Sequence, residues 1–272
     1  MEEYTLADWI PFLVLMVASA VYLSRSALGL SSRRKRHNFR PLEEEYKREL
    51  EEHFLYYQNL SSTNKRKFET RVQAFIDGND FIPRSYTHVN AEMKALIAGS
   101  AVQLTFGFEH LNLEHFRKIL IYKDDYYSTI TRKYHQGEVN ARGLIVLSWK
   151  NFVEGYEKHD DGRNLGLHEM AHALRLENSI YNDEYEFIDN AHIVKFERMA
   201  EAEMKEIAAG NDVFFRKYAA ANRHEFFAVA VENFFERSEG FKEYHPELYH
   251  TMSLLLKQDP IRLFQGYNSV PF

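Results

Sequence analysis

The chain has 272 residues, of which 45% are hydrophobic and 15% aromatic, and it contains only 12 Gly and 6 Pro. This composition excludes an intrinsically disordered protein and suits one domain of about 230 residues with an appendage. The absence of cysteine excludes disulfides, thiolate zinc sites, iron–sulfur clusters and cysteine nucleophiles. The net charge of −6 argues against direct nucleic-acid binding.

The first element in chain order is an uncharged segment, Trp9–Leu23, with the basic cluster Arg33–Arg36 after it. As a helix this segment is about 22 Å long, somewhat short of a hydrocarbon core of roughly 30 Å. We expect a single transmembrane helix at residues 6–28 and a basic juxtamembrane linker at residues 29–40. By the positive-inside rule, the N-terminus lies outside the cytoplasmic membrane and the rest in the cytoplasm. The alternatives are a cleaved signal peptide, favoured by Ala18–Ala20, and a buried core helix.

A helical period begins after Pro41 and is interrupted by two short apolar runs, Lys118–Tyr122 and Leu144–Trp149, which predict strands. This order of helices, a few strands and then helices predicts an α+β fold rather than a doubly wound sheet, in a domain that covers residues 41–272. The predicted helices cover residues 42–60, 65–76, 90–106, about 164–178, about 191–209, about 222–237 and about 244–257.

The most specific motif is His168-Glu169-Met170-Ala171-His172, which reads H-E-x-x-H. Residues four apart on a helix share a face, so the two imidazoles can bind one zinc ion. The Glu between them can accept a proton from a water that the metal activates. The surrounding helix is apolar and therefore buried, and buried polar groups need partners. We predict a zinc site at this motif.

A catalytic zinc usually has three protein ligands, so one further ligand must come from elsewhere. No third histidine occurs at the H-E-x-x-H-x-x-G-x-x-H spacing. Because the chain has no cysteine, a carboxylate is the expected third ligand. The downstream candidates are Glu186, Asp189, Glu197, Glu201 and Glu225.

Glu225 is the strongest candidate because it lies in a nearly apolar segment, where an unpaired acid is costly to bury. Glu232, seven residues further on, lies on the same face and can hold a ligand histidine in place. However, Asn222 and Glu225 also match a capping box, in which the Glu225 carboxylate bonds back to the backbone of Asn222. The residues alone leave both roles open.

Several segments in combination resemble the bacterial zinc-dependent peptidases of the Mlc titration factor A family. The resemblance extends over roughly residues 60–260 and does not include the N-terminal segment. The segments that carry it are Gly143–Trp149, Gly162–His172, Tyr218–Ala220, Glu225–Val229 and Glu232–Phe235.

The resemblance implies a mostly helical, zincin-type metallopeptidase domain with a small sheet and Zn²⁺ as cofactor. It implies that His168, His172 and Glu225 bind the metal, that Glu169 is the catalytic glutamate, and that Tyr218 lies near the metal as an oxyanion donor. In one respect the chain departs from the pattern. The family often has an acidic residue three positions after the second histidine, where this chain has Arg175, with Glu177 nearby.

We therefore expect a membrane-anchored zinc peptidase that faces the cytoplasm and hydrolyses peptide or protein substrates. The alternative is a protein that binds a transcriptional regulator on a metallopeptidase fold, with weak or no proteolysis. A structural zinc site in an interaction domain is disfavoured, because such a site needs no general base such as Glu169. The strand at Leu144–Trp149 is either a substrate-pairing edge strand or a core strand. We assign no site role to four other histidines: His135, His159, His192 and His224.

Overall fold

The structure is a computed structural model that describes residues 40–109, 113–128, 132–180, 187–211 and 214–265. Within these ranges most residues are helical. The α-helices are Glu44–His53 (α1), Leu55–Gln58 (α2), Ser62–Gly78 (α3), Ala91–Thr105 (α4), Trp149–Glu157 (α5), Leu165–Ile180 (α6), Asn190–Ala209 (α7), Arg223–Glu236 (α8), Ser238–Tyr244 (α9), Pro246–Leu256 (α10) and Pro260–Phe264 (α11). A 3₁₀ turn at Lys217–Ala220 precedes α8.

Six short strands complete the described fold: Asp80–Pro83 (β1), Lys118–Tyr122 (β2), Tyr126–Ser128 (β3), Lys133–His135 (β4), Gly137–Asn140 (β5) and Leu144–Ser148 (β6). Four of them form one mixed sheet in the order β1-β2-β6-β5. The strands β1, β2 and β6 are parallel, whereas β5 is antiparallel to β6 and forms one edge. The strands β3 and β4 pair as a separate antiparallel hairpin.

The two central strands read as continuous apolar runs because both of their faces are covered. Ile119 and Ile145 on one face are fully buried against the helices, in the main core. Leu120 and Val146 on the other face pack with Tyr126 of the β3–β4 hairpin. The prediction of strands in these two runs is confirmed, and β6 is a core strand rather than the edge strand.

Helix α6, which carries H-E-x-x-H, packs against α4, α8 and the strands β5 and β6. Three of its apolar side chains, Leu167, Met170 and Leu174, are no more than 1% exposed. Helix α8 is equally buried, with Phe226, Phe227 and others at or below 1%. The site helix is therefore fixed on several sides by apolar burial, which is the main stabilising term in folding.

The expected transmembrane helix needs correction. Among the residues that the structure describes, no helix is both long enough and apolar enough to span a membrane. Helix α7 is the longest, at 20 residues, but it carries many charged side chains, and the apolar α4 has only 15 residues. The predicted anchor at residues 6–28 lies outside the described residues, as does the linker up to residue 39. The described fold is a mostly helical domain with a small sheet, and the single-pass membrane location expected from the sequence is contradicted.

Candidate metal centre

The start of α6 is fixed by local hydrogen bonds that the sequence anticipates. The side chain of Asn164 caps the helix by accepting the backbone N–H of Leu167 at 2.9 Å. Gly162 in the preceding turn has φ +71, a conformation that favours glycine, and a Cβ there would lie 2.6 Å from the Asn233 side chain. The helix therefore begins at Leu165, three residues before His168, and His172 follows one turn later on the same face.

The third side chain of the site, the carboxylate of Glu225, comes from the first turn of α8. Asn222 is the N-cap of this helix, since its side chain accepts the backbone N–H groups of His224 and Glu225. The carboxylate of Glu225 faces the two histidines, with Oε2 at 3.1 Å from Nε2 of His168. Asn222 therefore caps the helix as the capping box predicts, whereas the Glu225 side chain lies beside the imidazoles.

Three ligand-type atoms converge at this point and form a cluster: Nε2 of His168, Nε2 of His172 and Oε2 of Glu225. The Nε2 atoms of His168 and His172 lie 3.1 Å apart, and Glu225 Oε2 lies 3.1 Å and 3.6 Å from them. Ligands placed about 2.0–2.1 Å from a tetrahedral zinc ion are roughly 3.3–3.4 Å from one another. The donor set and its spacing therefore fit a zinc ion with three protein ligands.

The buried oxygen of Glu225 gives an independent test of this fit. Glu225 Oε2 is buried and forms no hydrogen bond of good geometry with any residue in the described part of the chain. A buried carboxylate oxygen without a hydrogen bond is costly, and a cation at the cluster removes that cost. Burial alone would raise the pKa of Glu225, but its contacts with His168 and His172 lower it well below its usual value. The carboxylate is therefore ionised and available as a ligand.

Glu232 supports His168 from the side opposite the cluster. Its Oε1 lies 2.7 Å from Nδ1 of His168, and its side chain is only 1% exposed. Burial alone would raise the pKa of Glu232, but the hydrogen bonds and charges of His168 and Arg216 outweigh burial, and the pKa lies below its usual value. An ionised carboxylate only accepts hydrogen bonds, so Nδ1 of His168 is the donor. In the neutral imidazole this leaves the lone pair of Nε2 directed at the cluster.

The charges around the cluster also favour a divalent cation. Burial lowers the pKa of His168, yet Glu225 and Glu232 outweigh it and raise the pKa to about 10. The cluster therefore attracts positive charge. With both imidazoles neutral and the carboxylates of Glu169, Glu225 and Glu232 all ionised, these three charges and the one guanidinium of Arg216 leave two negative charges, which a divalent ion would balance.

Glu169, the residue expected to act as a base, is buried between α6 and the edge strand β5. It is 5% exposed, and burial is the main cause that raises its pKa. A Cβ on Gly137 of β5 would lie 2.3 Å from Oε1 of Glu169. The carboxylate therefore occupies space that is open only because position 137 is glycine.

Tyr218 lies on the 3₁₀ turn beside the cluster. Its ring centroid is 6.2 Å from that of His168, and the residue is 52% exposed. Partial burial, followed by the nearby Glu225 carboxylate, raises the pKa of Tyr218 to about 12. The hydroxyl group is therefore protonated at neutral pH and available as a hydrogen-bond donor.

A cleft extends on both sides of these residues. One half has a volume of about 770 Å³ and the other about 750 Å³, and His168, Glu169 and Tyr218 line both. The first half continues toward α7, where Val194 is 61% exposed. The second half continues toward the loop before α6. His135 lines both halves of the cleft and His224 lines the first, although neither was predicted as a site residue.

The other carboxylates considered as third ligands are engaged elsewhere or lie outside the described residues. Asp189 caps α7, Glu197 pairs with Arg175 at 2.7 Å, and Glu201 pairs with Arg223. Glu186 lies outside the described residues.

Comparison with known proteins identifies the family of this chain. Residues 30–257 match the model of a family described as Glucose-regulated metallo-peptidase M90. The chain belongs to this family. Members of a metallopeptidase family act with a metal, and M90 membership therefore implies one for this chain. The family resemblance expected from the sequence is confirmed.

Similar curated proteins extend over most of the chain. An uncharacterized protein of Synechocystis is 23% identical over 242 residues, which cover 82% of this chain and 86% of that protein. Mlc titration factor A of Escherichia coli O1:K1 is 26% identical over 77% of this chain and 84% of its own length. Mlc titration factor A of Edwardsiella ictaluri is 27% identical over 65% of this chain and 73% of its own length.

Arg175 stands where the family resemblance leads us to expect an acidic residue, and Glu177 is the nearest carboxylate in the sequence. The guanidinium of Arg175 pairs with Glu197 and lies 5.4 Å from the ring centroid of Phe227. Both carboxylate oxygens of Glu177 accept the backbone N–H of His115, at 3.1 and 3.2 Å. Glu177 therefore ties a loop to α6, and Arg175 lines the wall of the cleft.

Proposed function

We propose that this chain is a zinc-dependent peptidase in which His168, His172 and Glu225 bind the metal. The observation that carries the proposal is the convergence of two Nε2 atoms and one carboxylate oxygen within 3.6 Å of one another, beside the buried carboxylate of Glu169. Zinc fits better than magnesium or calcium because imidazole nitrogens supply two of the three ligands. Membership of a metallopeptidase family supports the same proposal.

When bound, zinc would supply Lewis acidity toward a carbonyl oxygen and would acidify a water molecule. Glu169 would accept the proton that the attacking water loses and deliver it to the leaving amine. The burial of Glu169 favours this role, because a raised pKa makes the carboxylate a stronger base toward the proton of the water. Tyr218 would donate a hydrogen bond to the carbonyl oxygen as negative charge develops there.

The substrate backbone would pair with the edge strand β5. The backbone N–H of Ser148 donates to the carbonyl of Gln136 at 2.7 Å, which marks that pair as hydrogen-bonded. Because such pairs alternate in an antiparallel ladder, the backbone groups of Gly137 and Val139 face away from β6. Both residues line the cleft, and in the described sheet no strand pairs with this edge of β5, so these N–H and C=O groups are available to an extended peptide.

A second function is binding of a partner protein with weak or no proteolysis. The relatives from Escherichia and Edwardsiella carry the name Mlc titration factor A, which is a name for binding rather than cleavage. On this alternative the cleft would bind a segment of a transcriptional regulator as it would bind a substrate. Glu169 distinguishes the two functions, because capture of a partner requires no general base.

The test compares the full-length chain with Glu169→Gln, using a library of quenched fluorescent peptides and measuring zinc content in parallel. We expect zinc to be retained and cleavage to fall by at least about 100-fold, the usual contribution of a positioned general base. Glu157→Gln is the matched control, since Glu157 is exposed at the end of α5. Absence of cleavage by wild-type protein across the library would favour the binding function. Cleavage by Glu169→Gln at the wild-type rate would contradict the assigned base.

A further inference from the structure

Arg216 lies immediately before the 3₁₀ turn that carries Tyr218, and no motif in the sequence assigned it a role. Its Nη1 donates to Glu232 Oε2 at 2.8 Å and to the carbonyl of Gly162 at 2.6 Å. Its Nη2 donates to Glu232 Oε1 at 2.7 Å. The guanidinium carbon also lies 5.9 Å from the ring centroid of Tyr218. One side chain therefore contacts Glu232, the loop before α6 and Tyr218.

Glu232 depends on these contacts. Its carboxylate is almost completely buried and accepts four hydrogen bonds: one from His168 Nδ1, one from the backbone of Asn164 and two from Arg216. A buried carboxylate needs both hydrogen bonds and a compensating charge. Arg216 supplies two of the four bonds and a full positive charge. Without it, Glu232 would have a strong tendency to rotate or to take up water.

We propose that Arg216 is a positioning residue of the metal centre. It holds Glu232 in the orientation in which Oε1 receives the Nδ1–H of His168, so that the Nε2 lone pair faces the cluster. Its guanidinium also lies against the Tyr218 ring and holds that ring beside the same cluster. This role rests on the proposed function, because it concerns the same metal centre.

The geometry requires arginine rather than lysine. Two parallel hydrogen bonds from a planar guanidinium match the two oxygens of a carboxylate, and they fix its rotation as well as its position. The third bond, to Gly162, leaves the guanidinium little freedom. A lysine ammonium would keep the charge but not the two-point contact, so it should restore the site only in part.

The test measures zinc affinity of the full-length chain by competition with a chelating dye, for Arg216→Met and Arg216→Lys. We expect Arg216→Met to bind zinc about 10-fold more weakly, the lower end of the cost of losing an outer partner of a metal ligand, because Glu232 remains but is no longer held in place. Arg216→Lys should lie between it and wild type. The control is Arg198→Met, an exposed arginine on α7 that should retain wild-type affinity. Circular dichroism establishes that each variant is folded.

A double-mutant cycle with Glu232→Gln shows whether Arg216 acts through Glu232. If it does, Arg216→Met should cost little more zinc affinity once Glu232 is already changed. Fully additive losses, or wild-type zinc affinity in a folded Arg216→Met protein, would overturn the proposal.

A readout that needs no zinc separates this inference from the proposed function. In protein labelled with ¹⁵N-histidine, the Nδ1–H resonance of His168 is assigned by its loss in His168→Gln. We expect that resonance to shift in Arg216→Met and to remain unchanged in Arg198→Met. If the chain binds no zinc, the proposed function is refuted. If the resonance nevertheless shifts in Arg216→Met, the positioning role of Arg216 is still supported. An unchanged resonance would refute the positioning role, whatever the chain cleaves.

Discussion

The Oε2 atom of Glu225 lies 3.1 Å from the Nε2 atom of His168, although 57 positions of sequence separate the two residues. The contact forms because α6 and α8 pack against each other through apolar faces and because Asn222 starts α8 at a point facing the histidines. A carboxylate oxygen and an imidazole lone pair directed at the same point repel each other unless a proton or a metal cation lies between them. This relationship is the basis of the metal site that we propose.

Replacement of Glu225 by alanine should weaken zinc binding more than any change outside the ligand set. We expect a loss beyond the roughly 10- to 100-fold that removal of an outer partner costs, because one of the three proposed protein ligands disappears. Titration with a chelating dye measures the affinity. Glu201→Ala is the matched control, since Glu201 pairs with Arg223 at the surface. Unchanged affinity in Glu225→Ala would remove Glu225 from the ligand set.

Replacement of Gly137 by alanine should impair catalysis without removing the metal. The added Cβ would lie 2.3 Å from Oε1 of Glu169 and must displace that carboxylate. A misplacement of about 1 Å in a catalytic group costs roughly 100-fold in rate. We therefore expect a kcat about 100-fold lower in peptide cleavage, with wild-type zinc content.

Gly240→Ala in helix α9 provides the control for that change. The added Cβ would meet no atom closer than 3.4 Å. Activity should stay at the wild-type level, while the free energy of unfolding should rise by about 0.5–1 kcal/mol. Full activity in Gly137→Ala would show that Glu169 does not need its observed position.

Glu177 should make stability depend on pH. Burial, partly opposed by the backbone N–H of His115, raises the pKa of Glu177 from 4.5 to about 7. Between these values the folded protein binds more protons than the unfolded chain, so this group lowers the free energy of unfolding as pH rises from 4.5 to about 7. In urea unfolding, the free energy of unfolding of Glu177→Gln should decline less with pH than that of the wild type. Above pH 7 it should exceed the wild-type value by on the order of 1–3 kcal/mol. An identical pH dependence in both proteins would contradict the raised pKa.

Arg175 should influence substrate preference and leave the metal unaffected, because its guanidinium pairs with Glu197 and faces the cleft. Arg175→Met makes this part of the cleft more negative by one charge. We expect KM to fall for cationic peptides and rise for acidic ones by roughly fivefold, equivalent to about 1 kcal/mol. Arg198→Met is the control. Loss of zinc from Arg175→Met would place Arg175 in the metal environment instead.

The sequence predicts those features that depend on local periodicity. The strand Lys118–Tyr122 and the long helices agree with the structure to within a few residues, because each has its own apolar pattern and cap signal. The edge strand β5 is missed because Gly137 and Asn140 at its ends are typical turn residues. Helix α5 is missed because its first residue, Trp149, continues the apolar run of β6.

Within the candidate site, spacing indicates the pair of histidines but not their partners. Glu225 was open to two roles, since a capping box and a metal ligand have the same residue types in sequence. The role of Arg216 carries no sequence signal, because it follows from the tertiary contact between the 3₁₀ turn and α8. Interactions across such long separations depend on how helices pack, which periodicity does not specify.

The most direct test of the metal site is anomalous diffraction at the zinc absorption edge from crystals of the zinc-loaded protein. We predict one strong peak, about 2.0–2.2 Å from Nε2 of His168, from Nε2 of His172 and from a carboxylate oxygen of Glu225. The peak should persist in Glu169→Gln and disappear in Glu225→Ala. A zinc peak elsewhere in the chain, or none at this cluster with zinc in excess, would contradict the account.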